Sequence, residues 1–308
     1  MRILNFGSLN IDHVYHVDHF VRPGETISAE RLEYFSGGKG LNQSVALAKA
    51  GAAVYHAGKI GTDGGSLKEI LSDNGVHTDY IEMTNSVNGH ALIQVVPSGQ
   101  NNIIIYGGSN HEITQDYADR VLENFGEGDL VLMQNEISCI DSIARKCAEK
   151  KMKLALNPSP ISKDLLRTFP FELVSLFFIN EIEGRELSGK EDADEILEEL
   201  LKRYPDSAFV FTLGHDGVIY KDKNSTFTHG IYNVNVVDTT AAGDTFTGYF
   251  LSCYAAGEPI PDCLRKASVA SSLAVSKAGA SPSIPLMNEV LEAAASLEYV
   301  EYKGPCVQ

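Results

Sequence analysis

The stretch DTTAAGDTF, at residues 238–246, contains the most informative chemistry of this chain. A strand-like run at residues 232–237 precedes it, and an amphipathic helical pattern follows it. Small residues before a helix leave backbone N–H groups unpaired, and with the helix dipole these groups form an anion site. Asp244 at the mouth of such a site either caps the helix or accepts the proton of a hydroxyl group during phosphoryl transfer. This stretch alone leaves both interpretations open.

A second stretch, SGGKGLNQ at residues 36–43, also leads into a helical pattern. It does not fit a P-loop, because the spacing GxxxxGK[ST] is absent. Its glycines let a ligand approach the backbone closely, while Lys39 and Asn42 offer hydrogen-bond donors. These features suit a polyol ligand, and a plain turn with a solvated lysine is the alternative interpretation.

Along the rest of the chain, apolar runs alternate with amphipathic segments. The predicted buried strands are residues 53–61, 129–133, 153–156, 174–179 and 208–212. The predicted helices are residues 40–50, 66–74, 138–150, 192–203, 244–257 and 261–278, with a last helix that ends near Leu297. Strands that alternate with helices predict a mainly parallel sheet covered on both faces, and we expect the remaining tail to be peripheral.

Two segments interrupt this alternation and predict a small second sheet. Residues 10–35 contain short β-like pieces, and residues 88–106 have the pattern of a hairpin with its turn at residues 97–100. We therefore assign residues 1–9, 36–87 and 107–308 to a large α/β domain, and residues 10–35 and 88–106 to a small β lid. Because an exposed strand edge invites a partner strand, we also expect the lid to join two copies of the chain as a homodimer.

Charge and composition exclude several classes of function. A net charge of −16 argues against a nucleic-acid partner, whose phosphates require a basic face. No apolar run approaches the roughly 20 residues that span a bilayer, and no signal-peptide core is present. The five cysteines are scattered without a C-x-x-C pair, so neither disulfides nor a zinc site follow, and a cytoplasmic location is expected. The acidic charge also requires that any phosphate site be built locally from backbone dipoles, metal ions and a few basic residues.

Together the two glycine-containing stretches resemble the signatures of the PfkB/ribokinase family of carbohydrate kinases. Residues 37–43 are similar to the N-terminal signature and residues 238–246 to the C-terminal one, and the resemblance extends from Leu4 to about Pro285. It implies a ribokinase-like three-layer α/β/α domain, with a mainly parallel central sheet and a small β lid. It also implies an ATP-dependent kinase that acts on a sugar. One departure is Tyr249, where the family usually has a small residue, but no catalytic group is lost there.

The resemblance also implies roles for individual residues. The implied catalytic base is Asp244, beside an anion hole formed by Ala241, Ala242 and Gly243. The implied sugar contacts are Asn10, Asp12, Gly38, Lys39, Asn42, Glu136 and Asp244. The implied nucleotide contacts are Asn180, Glu183, Thr212, Gly214 and Gly217, with Glu183 near Mg²⁺. The implied monovalent-cation site, with K⁺ as an activator, contains Asp238, Thr240, Gly279 and Ser283.

Histidines invite a metal hypothesis, which the pattern of the chain disfavours. His13 and His16 would point to opposite faces of a strand, so they would not share one ion, and His19 alone makes no site. His90 in the lid either touches the sugar or covers the sheet edge, and the second interpretation is favoured. His215 lies in the nucleotide turn and is a candidate phosphate contact.

The lid sequence narrows the choice of substrate. Residues 88–110 contain no lysine or arginine, although a kinase of an already phosphorylated sugar would need cations there. This disfavours kinases of sugar phosphates. The implied set of sugar contacts resembles the pattern of the ribose-phosphorylating members of the family, and this resemblance predicts D-ribose, phosphorylated on its primary O5 by the γ-phosphate of ATP. A nucleoside kinase is the close alternative, since it shares the catalytic motif; it also needs an aromatic or apolar slot for the base, which the sequence neither shows nor excludes. A non-catalytic nucleotide or sugar sensor is the alternative from another class, and the intact Asp244 and Glu183 count against it. A dinucleotide-dependent oxidoreductase is disfavoured because GxGxxG is absent after the first strand.

Overall fold

The computed structural model of this chain describes residues 1–305. Its strands are β1 (Ile3–Phe6), β2 (Asn10–His16), β3 (Arg31–Gly37), β4 (Val54–Ile60), β5 (His77–Met83), β6 (Gly89–Val95), β7 (Asn101–Tyr106), β8 (Leu130–Gln134), β9 (Lys153–Asn157), β10 (Leu176–Asn180), β11 (Ala208–Thr212), β12 (Val218–Lys221), β13 (Thr226–His229), β14 (Ile231–Tyr232) and β15 (Tyr299–Val300). Its helices are α1 (Lys39–Lys49), α2 (Gly65–Asp73), α3 (Gln115–Leu122), α4 (Ile140–Glu149), α5 (Lys163–Thr168), α6 (Glu181–Ser188), α7 (Ala193–Arg203), α8 (Ala242–Ala255), α9 (Ile260–Val275) and α10 (Met287–Ala293).

A nine-stranded sheet with the order β13-β12-β11-β10-β9-β8-β1-β4-β5 forms the centre of the molecule. Pairing is parallel from β11 to β5, and the pairs β11–β12 and β12–β13 at one edge are antiparallel, so only β12 runs against the other strands. The strand order reverses between β1 and β8. In open α/β sheets, ligands bind beside the carboxyl ends of the strands at such a reversal. The segments that follow β1 and β8 are therefore expected to face the site.

Alternate side chains of the central strands enter two separate cores. Ile3 of β1 packs in the first core, whereas Leu4 and Phe6 pack in the second. Helices α1, α2, α8, α9 and α10 cover the first core, and helices α3, α4, α6 and α7 cover the second. This arrangement follows from the period of two in a strand, which sends successive side chains to opposite faces. It confirms the predicted three-layer α/β/α class.

A second, four-stranded sheet has the order β3-β2-β6-β7. Strand β2 pairs antiparallel with β3 and parallel with β6, and β6 pairs antiparallel with β7 as the predicted hairpin. Strand β3 continues to Gly37, so Ser36 and Gly37 belong to this sheet. In the register of these strands, Asn10 lies opposite both Gly37 and Gly89. The sheet therefore brings Asn10 next to the start of the SGGKG stretch.

Most predicted helices and strands of the large sheet are confirmed close to their predicted bounds, and two predictions are wrong. Of residues 232–237, only Tyr232 is in a strand, and residues 233–237 run without regular structure to the start of α8. The C-terminal tail is not peripheral, because β15 pairs antiparallel with β14. A two-residue strand carries no periodic signal, so its partner was invisible in the sequence. Of the cysteines, Cys306 lies outside the described residues. Among residues 1–305, no helix is long and apolar enough to cross a bilayer.

Candidate active site

Helix α8 begins with a turn that leaves its first N–H groups available. Ala241 precedes the helix with φ +62°, in the left-handed region that costs an alanine roughly 1–2 kcal/mol. The N–H of Ala242 turns back to the carbonyl oxygen of Thr239 at 3.3 Å. Helix geometry leaves the N–H groups of Gly243 and Asp244 without an intrahelical acceptor. A Cβ added at Gly243 would meet no heavy atom within 4 Å, so this end of the helix is open to a ligand.

The Asp244 side chain is buried, with 7% of its surface exposed, and it does not cap the helix. One carboxylate oxygen accepts a hydrogen bond from Nδ2 of Asn42 at 3.1 Å, and the other accepts from Nε2 of Gln43 at 2.8 Å. Both donors belong to α1, the helix that begins within the second glycine-containing stretch. Of the two interpretations of Asp244, the capping role is therefore wrong. The carboxylate is instead held by side-chain amides at the wall of a cavity.

A buried chain of polar side chains runs from Gln43 away from the cavity. Nε2 of Gln134 donates to Oε1 of Gln43 at 2.6 Å and to Oδ1 of Asn5 at 3.0 Å. Nδ2 of Asn5 donates to Oγ of Ser44 at 2.8 Å, and that hydroxyl bonds Nδ1 of His56 at 2.8 Å. Burial lowers the pKa of His56 to about 4, which keeps the imidazole neutral at pH 7. This row of hydrogen bonds fixes the amide of Gln43 and hence the orientation of its bond to Asp244.

Sequence reasoning missed Gln43, Gln134 and Asn5 as parts of the site. Asn5 and Gln134 lie on strands whose other residues are apolar and buried. A polar side chain that is fully buried normally has a hydrogen-bond partner. The polar positions within ILNF and LVLMQ were therefore the signal that could have revealed this network.

Glu136 lies just after β8, beside the start of α1. Its Oε2 accepts from the backbone N–H of Lys39 at 3.0 Å and from the hydroxyl of Ser8. Burial raises the pKa of Glu136 above its ordinary value, although the bond from Ser8 and the charge of Lys39 oppose the shift. Gly38 between these groups has φ +91°, and an added Cβ would lie 3.1 Å from the backbone N of Asn10. Only glycine fits this close approach without strain.

Asp12 on β2 is the second carboxylate at this end of the site. Burial raises the pKa of Asp12 to about 6, and the negative charge of Glu136 adds to the shift. Asn10 on the same strand is buried, and its Oδ1 accepts from Nδ2 of Asn110 at 2.7 Å. The two carboxylates and the Asn10 amide form a polar surface rich in acceptors, as a polyol requires.

The ammonium of Lys39 balances three carboxylates. Burial alone would lower the pKa of Lys39, but the charges of Asp244, Glu136 and Glu183 outweigh it and raise the pKa. Lys39 therefore stays charged and is available to an anionic ligand. This local positive charge is required in a chain whose overall charge is −16.

Two adjoining cavities meet at the start of α8. The smaller, of about 250 Å³, is polar, and its lining includes Lys39, Asn180, Glu183, Thr212, Gly243 and Asp244. The larger, of about 660 Å³, is lined by the 214–217 turn with its exposed His215 and by apolar side chains, among them Val236, Phe246 and Val275. Both cavities share Thr239 and Gly243 in their walls. The pair has the form expected for a ligand with a charged end and a flat apolar end.

Residues 2–287 match the profile described as pfkB family carbohydrate kinase. The chain belongs to the pfkB family of carbohydrate kinases.

Individual members of the pfkB family are similar over nearly the full length. The Ribokinase of Haemophilus influenzae is 33% identical over 300 residues, which cover 93% of this chain and 96% of that protein. The Ribokinase of Bacillus subtilis is 36% identical over 291 residues, which cover 93% and 97% of the two chains. A solved structure of Arabidopsis thaliana Ribokinase complexed with ribose and ATP has a TM-score of 0.81 and 30% identity, covering 95% of this chain and 98% of that one.

The pfkB departure at Tyr249 is accommodated inside the first core. Tyr249 is fully buried, and its hydroxyl donates to the carbonyl oxygen of Pro285 at 2.6 Å. Tyr249 follows Asp244 by five positions on α8, about 500° of helical rotation, so the two side chains leave the helix in different directions. The larger residue therefore ties α8 to the segment before α10 without contacting the cavity.

The nucleotide candidates Asn180 and Glu183 lie at the start of α6, and the cation candidates of the pfkB pattern lie in the loops that contain Asp238 and Gly279. Glu183 and Asn180 form a capping box at the start of α6: Oε2 of Glu183 accepts from the Asn180 N–H at 2.9 Å, and the Glu183 N–H donates to Oδ1 of Asn180 at 3.0 Å. The Asp238 carboxylate accepts from the N–H of Thr240 at 2.8 Å and of Gly279 at 3.0 Å. Ser283, also predicted there, is buried and donates its hydroxyl to the carbonyl oxygen of Ala280 at 2.8 Å.

The histidines of the lid bond to other groups of the lid. His16 bonds the Glu33 carboxylate at 2.8 Å, and His19 bonds Glu25 at 3.0 Å. The rings of His13 and His90 lie 5.4 Å apart. His90 pairs in register with Ile11 rather than Asp12, so its side chain lies on the other face of the sheet from Asp12. Within residues 1–305, no group of three or more His, Cys, Asp or Glu side chains has the geometry of a metal site.

Proposed function

We propose that this chain is an ATP-dependent ribokinase that transfers the γ-phosphate of ATP to O5 of D-ribose. The observation that carries the proposal is the buried carboxylate of Asp244, held by two amides at the open start of α8. Ribokinases are the relatives at 33% and 36% identity, and the Arabidopsis ribokinase similar to this chain was solved with ribose and ATP. A carboxylate in this position has the chemistry of a general base rather than that of a helix cap.

In the proposed reaction, Asp244 accepts the proton of the ribose O5 hydroxyl. The O5 oxygen then forms a bond to the γ-phosphorus while the bond from that phosphorus to the β–γ bridging oxygen breaks, and ADP leaves with the bonding electrons. The N–H groups of Gly243 and Asp244 stabilise the charge that develops on the transferred phosphoryl group, with Ala241 and Ala242 shaping the turn. The N–H of Ala242 contributes less, because Thr239 already accepts it.

We assign ribose to the polar surface between the small sheet and α1. Asp12 and Glu136 would each accept hydrogen bonds from two sugar hydroxyls, and the amides of Asn10 and Asn42 would provide further partners. The constrained backbone of Gly38 allows the sugar to approach the start of α1. Lys39 then lies between the sugar and the phosphates, where its charge offsets both carboxylates and the transferred group.

We assign ATP to the two adjoining cavities, with its phosphates in the smaller and its base in the larger. Thr212, Gly214 and Gly217 line the nucleotide side, and Asn180 lies in both walls. Mg²⁺ prefers oxygen ligands and keeps several waters while it bridges phosphates. Glu183 fits this ion because its carboxylate lines the smaller cavity, and because burial raises its pKa, so that a nearby cation would favour its ionised form. A bound Mg²⁺ would neutralise phosphate charge during transfer.

We also propose a K⁺ site at the loops around Asp238. Burial alone would raise the pKa of Asp238, but the N–H groups of Thr240 and Gly279 donate to it, and the pKa lies below its ordinary value. These bonds keep the Asp238 carboxylate ionised, and an ionised carboxylate is a ligand that a hard cation prefers. Thr240, Gly279 and Ser283 would supply further oxygen ligands. K⁺ bound there would strengthen the field at the adjacent start of α8.

The small sheet is proposed to be a separate lid of residues 10–35 and 88–106 that covers the sugar. Its outer strand β7 exposes Ile103, Ile104, Ile105 and Tyr106, each by more than half of its surface. An exposed apolar edge strand is a natural surface for strand pairing or sheet packing. We therefore propose that two lids pack together in a homodimer.

One assay tests the proposed function directly. ADP release with Mg-ATP is measured for D-ribose, 2-deoxyribose, fructose, adenosine and fructose-6-phosphate, each with K⁺ and with Na⁺. We expect D-ribose to have the highest kcat/KM, with a further increase in K⁺. If adenosine dominates, the enzyme is a nucleoside kinase and the assignment of the sugar surface fails. If ATP binds and no acceptor reacts, the proposal of a non-catalytic sensor replaces the proposal of a kinase.

A further inference from the structure

Residues 298–303, close to the end of the described chain, lie against the larger cavity, and we call them the C-terminal segment. Strand β15 within it pairs antiparallel with β14, with Val300 opposite Ile231 and Tyr299 opposite Tyr232. Val300 forms part of the cavity wall, together with residues 230–234. None of the catalytic or sugar-binding assignments uses this segment.

Side-chain and backbone bonds fix the C-terminal segment at both ends. At one end, the N–H of Asn233 donates to the carbonyl oxygen of Glu298 at 2.9 Å, and its Nδ2 donates to the Glu298 carboxylate at 2.8 Å. At the other end, the N–H of Lys303 donates to the carbonyl oxygen of Asp216 at 3.1 Å. The segment therefore connects the 214–217 turn to the 230–234 loop, and both of these line the cavity.

Two glycines provide the space that the C-terminal segment occupies. A Cβ added at Gly230 would lie 1.9 Å from the carbonyl oxygen of Val300 and 2.8 Å from the N of Tyr302. Gly217 has φ +110°, and a Cβ there would lie 3.0 Å from Cδ2 of Tyr302. Contacts below 3 Å are excluded for real side chains, so no larger residue at position 230 is compatible with this path of the chain. The loops of the cavity are thus shaped around the segment.

We propose that the C-terminal segment is part of the nucleotide-binding site and that Val300 packs against the nucleobase. This inference rests on the proposed assignment of ATP to the two cavities. The phosphates belong at the polar end, beside Lys39 and Gly243, so the base extends into the larger cavity. There the apolar surfaces of Val236, Phe246 and Val300 remove a flat base from water.

The test compares two tryptophan substitutions in the same segment. Val300→Trp places a large side chain in the cavity, whereas Glu301→Trp adds the same bulk at an exposed neighbour that does not line it. Binding of ADP and of inorganic tripolyphosphate, which has no base, is measured by calorimetry. We expect Val300→Trp to weaken ADP at least tenfold, to leave tripolyphosphate unchanged and to leave the ribose KM unchanged. Glu301→Trp should bind all three ligands as the wild type does. Wild-type ADP affinity in Val300→Trp would overturn the inference.

A second variant of the full-length chain shows whether the segment acts as a unit. Gly230→Ala should displace the segment and weaken ADP about tenfold, while tripolyphosphate binding stays that of the wild type. Wild-type ADP affinity in Gly230→Ala would overturn the inference. Because ADP binding requires no ribose, failure of the wild type to phosphorylate ribose would overturn the proposed function alone, and the ADP comparison would still decide the role of the segment.

Discussion

The two ends of the candidate site are built in different ways. At the hydroxyl-activating end, side-chain amides from helices and strands hold the Asp244 carboxylate through buried hydrogen bonds. At the nucleotide end, loops, glycines and a two-residue strand pair provide backbone groups and apolar surfaces. Buried hydrogen-bonded networks fix geometry, whereas apolar walls supply binding energy with little direction. Substitutions at the first end should therefore change kcat, and substitutions at the second should change the KM for ATP.

The largest effect should come from Asp244→Asn. An amide cannot accept the O5 proton, so turnover should fall by ~10²–10⁴-fold, the scale of a positioned general base. ADP affinity should remain that of the wild type, because the N–H groups at the start of α8 are retained. Steady-state assays with saturating ribose and ATP, together with calorimetry for ADP, check both parts. Turnover near that of the wild type would remove Asp244 from the mechanism.

Gln43→Leu should have the next largest effect and tests whether the network positions the base. Loss of a hydrogen bond to a charged group is worth about 1.5–3 kcal/mol, which corresponds to a loss in kcat of roughly 10–100-fold. The KM for ATP should not change, because Gln43 does not line the larger cavity.

Ser252→Ala is the matched control for Gln43→Leu. Its hydroxyl also joins α8 to the end of α1, through a 3.0 Å bond to the carbonyl oxygen of Ala50, but far from the cavity. The control should lower stability without changing kcat. If both variants lose turnover equally, the effect of Gln43 is only structural.

The sequence predicted the first end of the site better than the second. Asp244, Asn42 and Gly38 stand in short motifs within which the local chain determines the geometry, and the structure brings them together. Asn5 and Gln134 were missed because their partners are distant in sequence, although buried polar strand residues gave a signal. The position of the C-terminal segment could not be predicted, because Tyr299 and Val300 have no periodic pattern and their placement depends on space left by Gly230. Contacts of this kind join residues that are distant in sequence, so the local sequence pattern does not predict them.

The pH dependence of sugar binding should be a smaller effect. Burial and the charge of Glu136 raise the pKa of Asp12 to about 6, so the carboxylate that accepts sugar hydroxyls is lost as the pH falls through 6. At pH 5 only about a tenth of the chains keep it ionised, so the KM for ribose should rise roughly tenfold between pH 7 and pH 5. The KM for ATP in the same assays is the internal control. A ribose KM that is flat over this range would contradict the assignment of Asp12.

Asp12→Asn should separate this role from stability. A carboxyl whose pKa is raised in the folded state is destabilising when ionised: this cost is absent below pH 4 and complete above pH 6 to 7. The asparagine variant should therefore be more stable than the wild type at pH 7, by at most about 3 kcal/mol, and equally stable at pH 4. It should also bind ribose weakly at every pH. Urea unfolding of both proteins at pH 7 and pH 4 measures the difference in the free energy of unfolding. A variant that is more stable than the wild type only at pH 4 would contradict the raised pKa of Asp12.

The smallest effect should come from Tyr249→Phe, on the part of α8 that faces away from both ends of the site. The variant loses the 2.6 Å bond to the carbonyl oxygen of Pro285 and leaves that acceptor unsatisfied inside the core. The free energy of unfolding should fall by about 1–3 kcal/mol. Because α8 keeps its packing on α1 and α9, kcat and both KM values should remain those of the wild type. A change in kcat would mean that the geometry at Asp244 depends on the anchoring of the whole helix α8. The hydrogen bonds from Asn42 and Gln43 would then not be sufficient to hold the carboxylate in place.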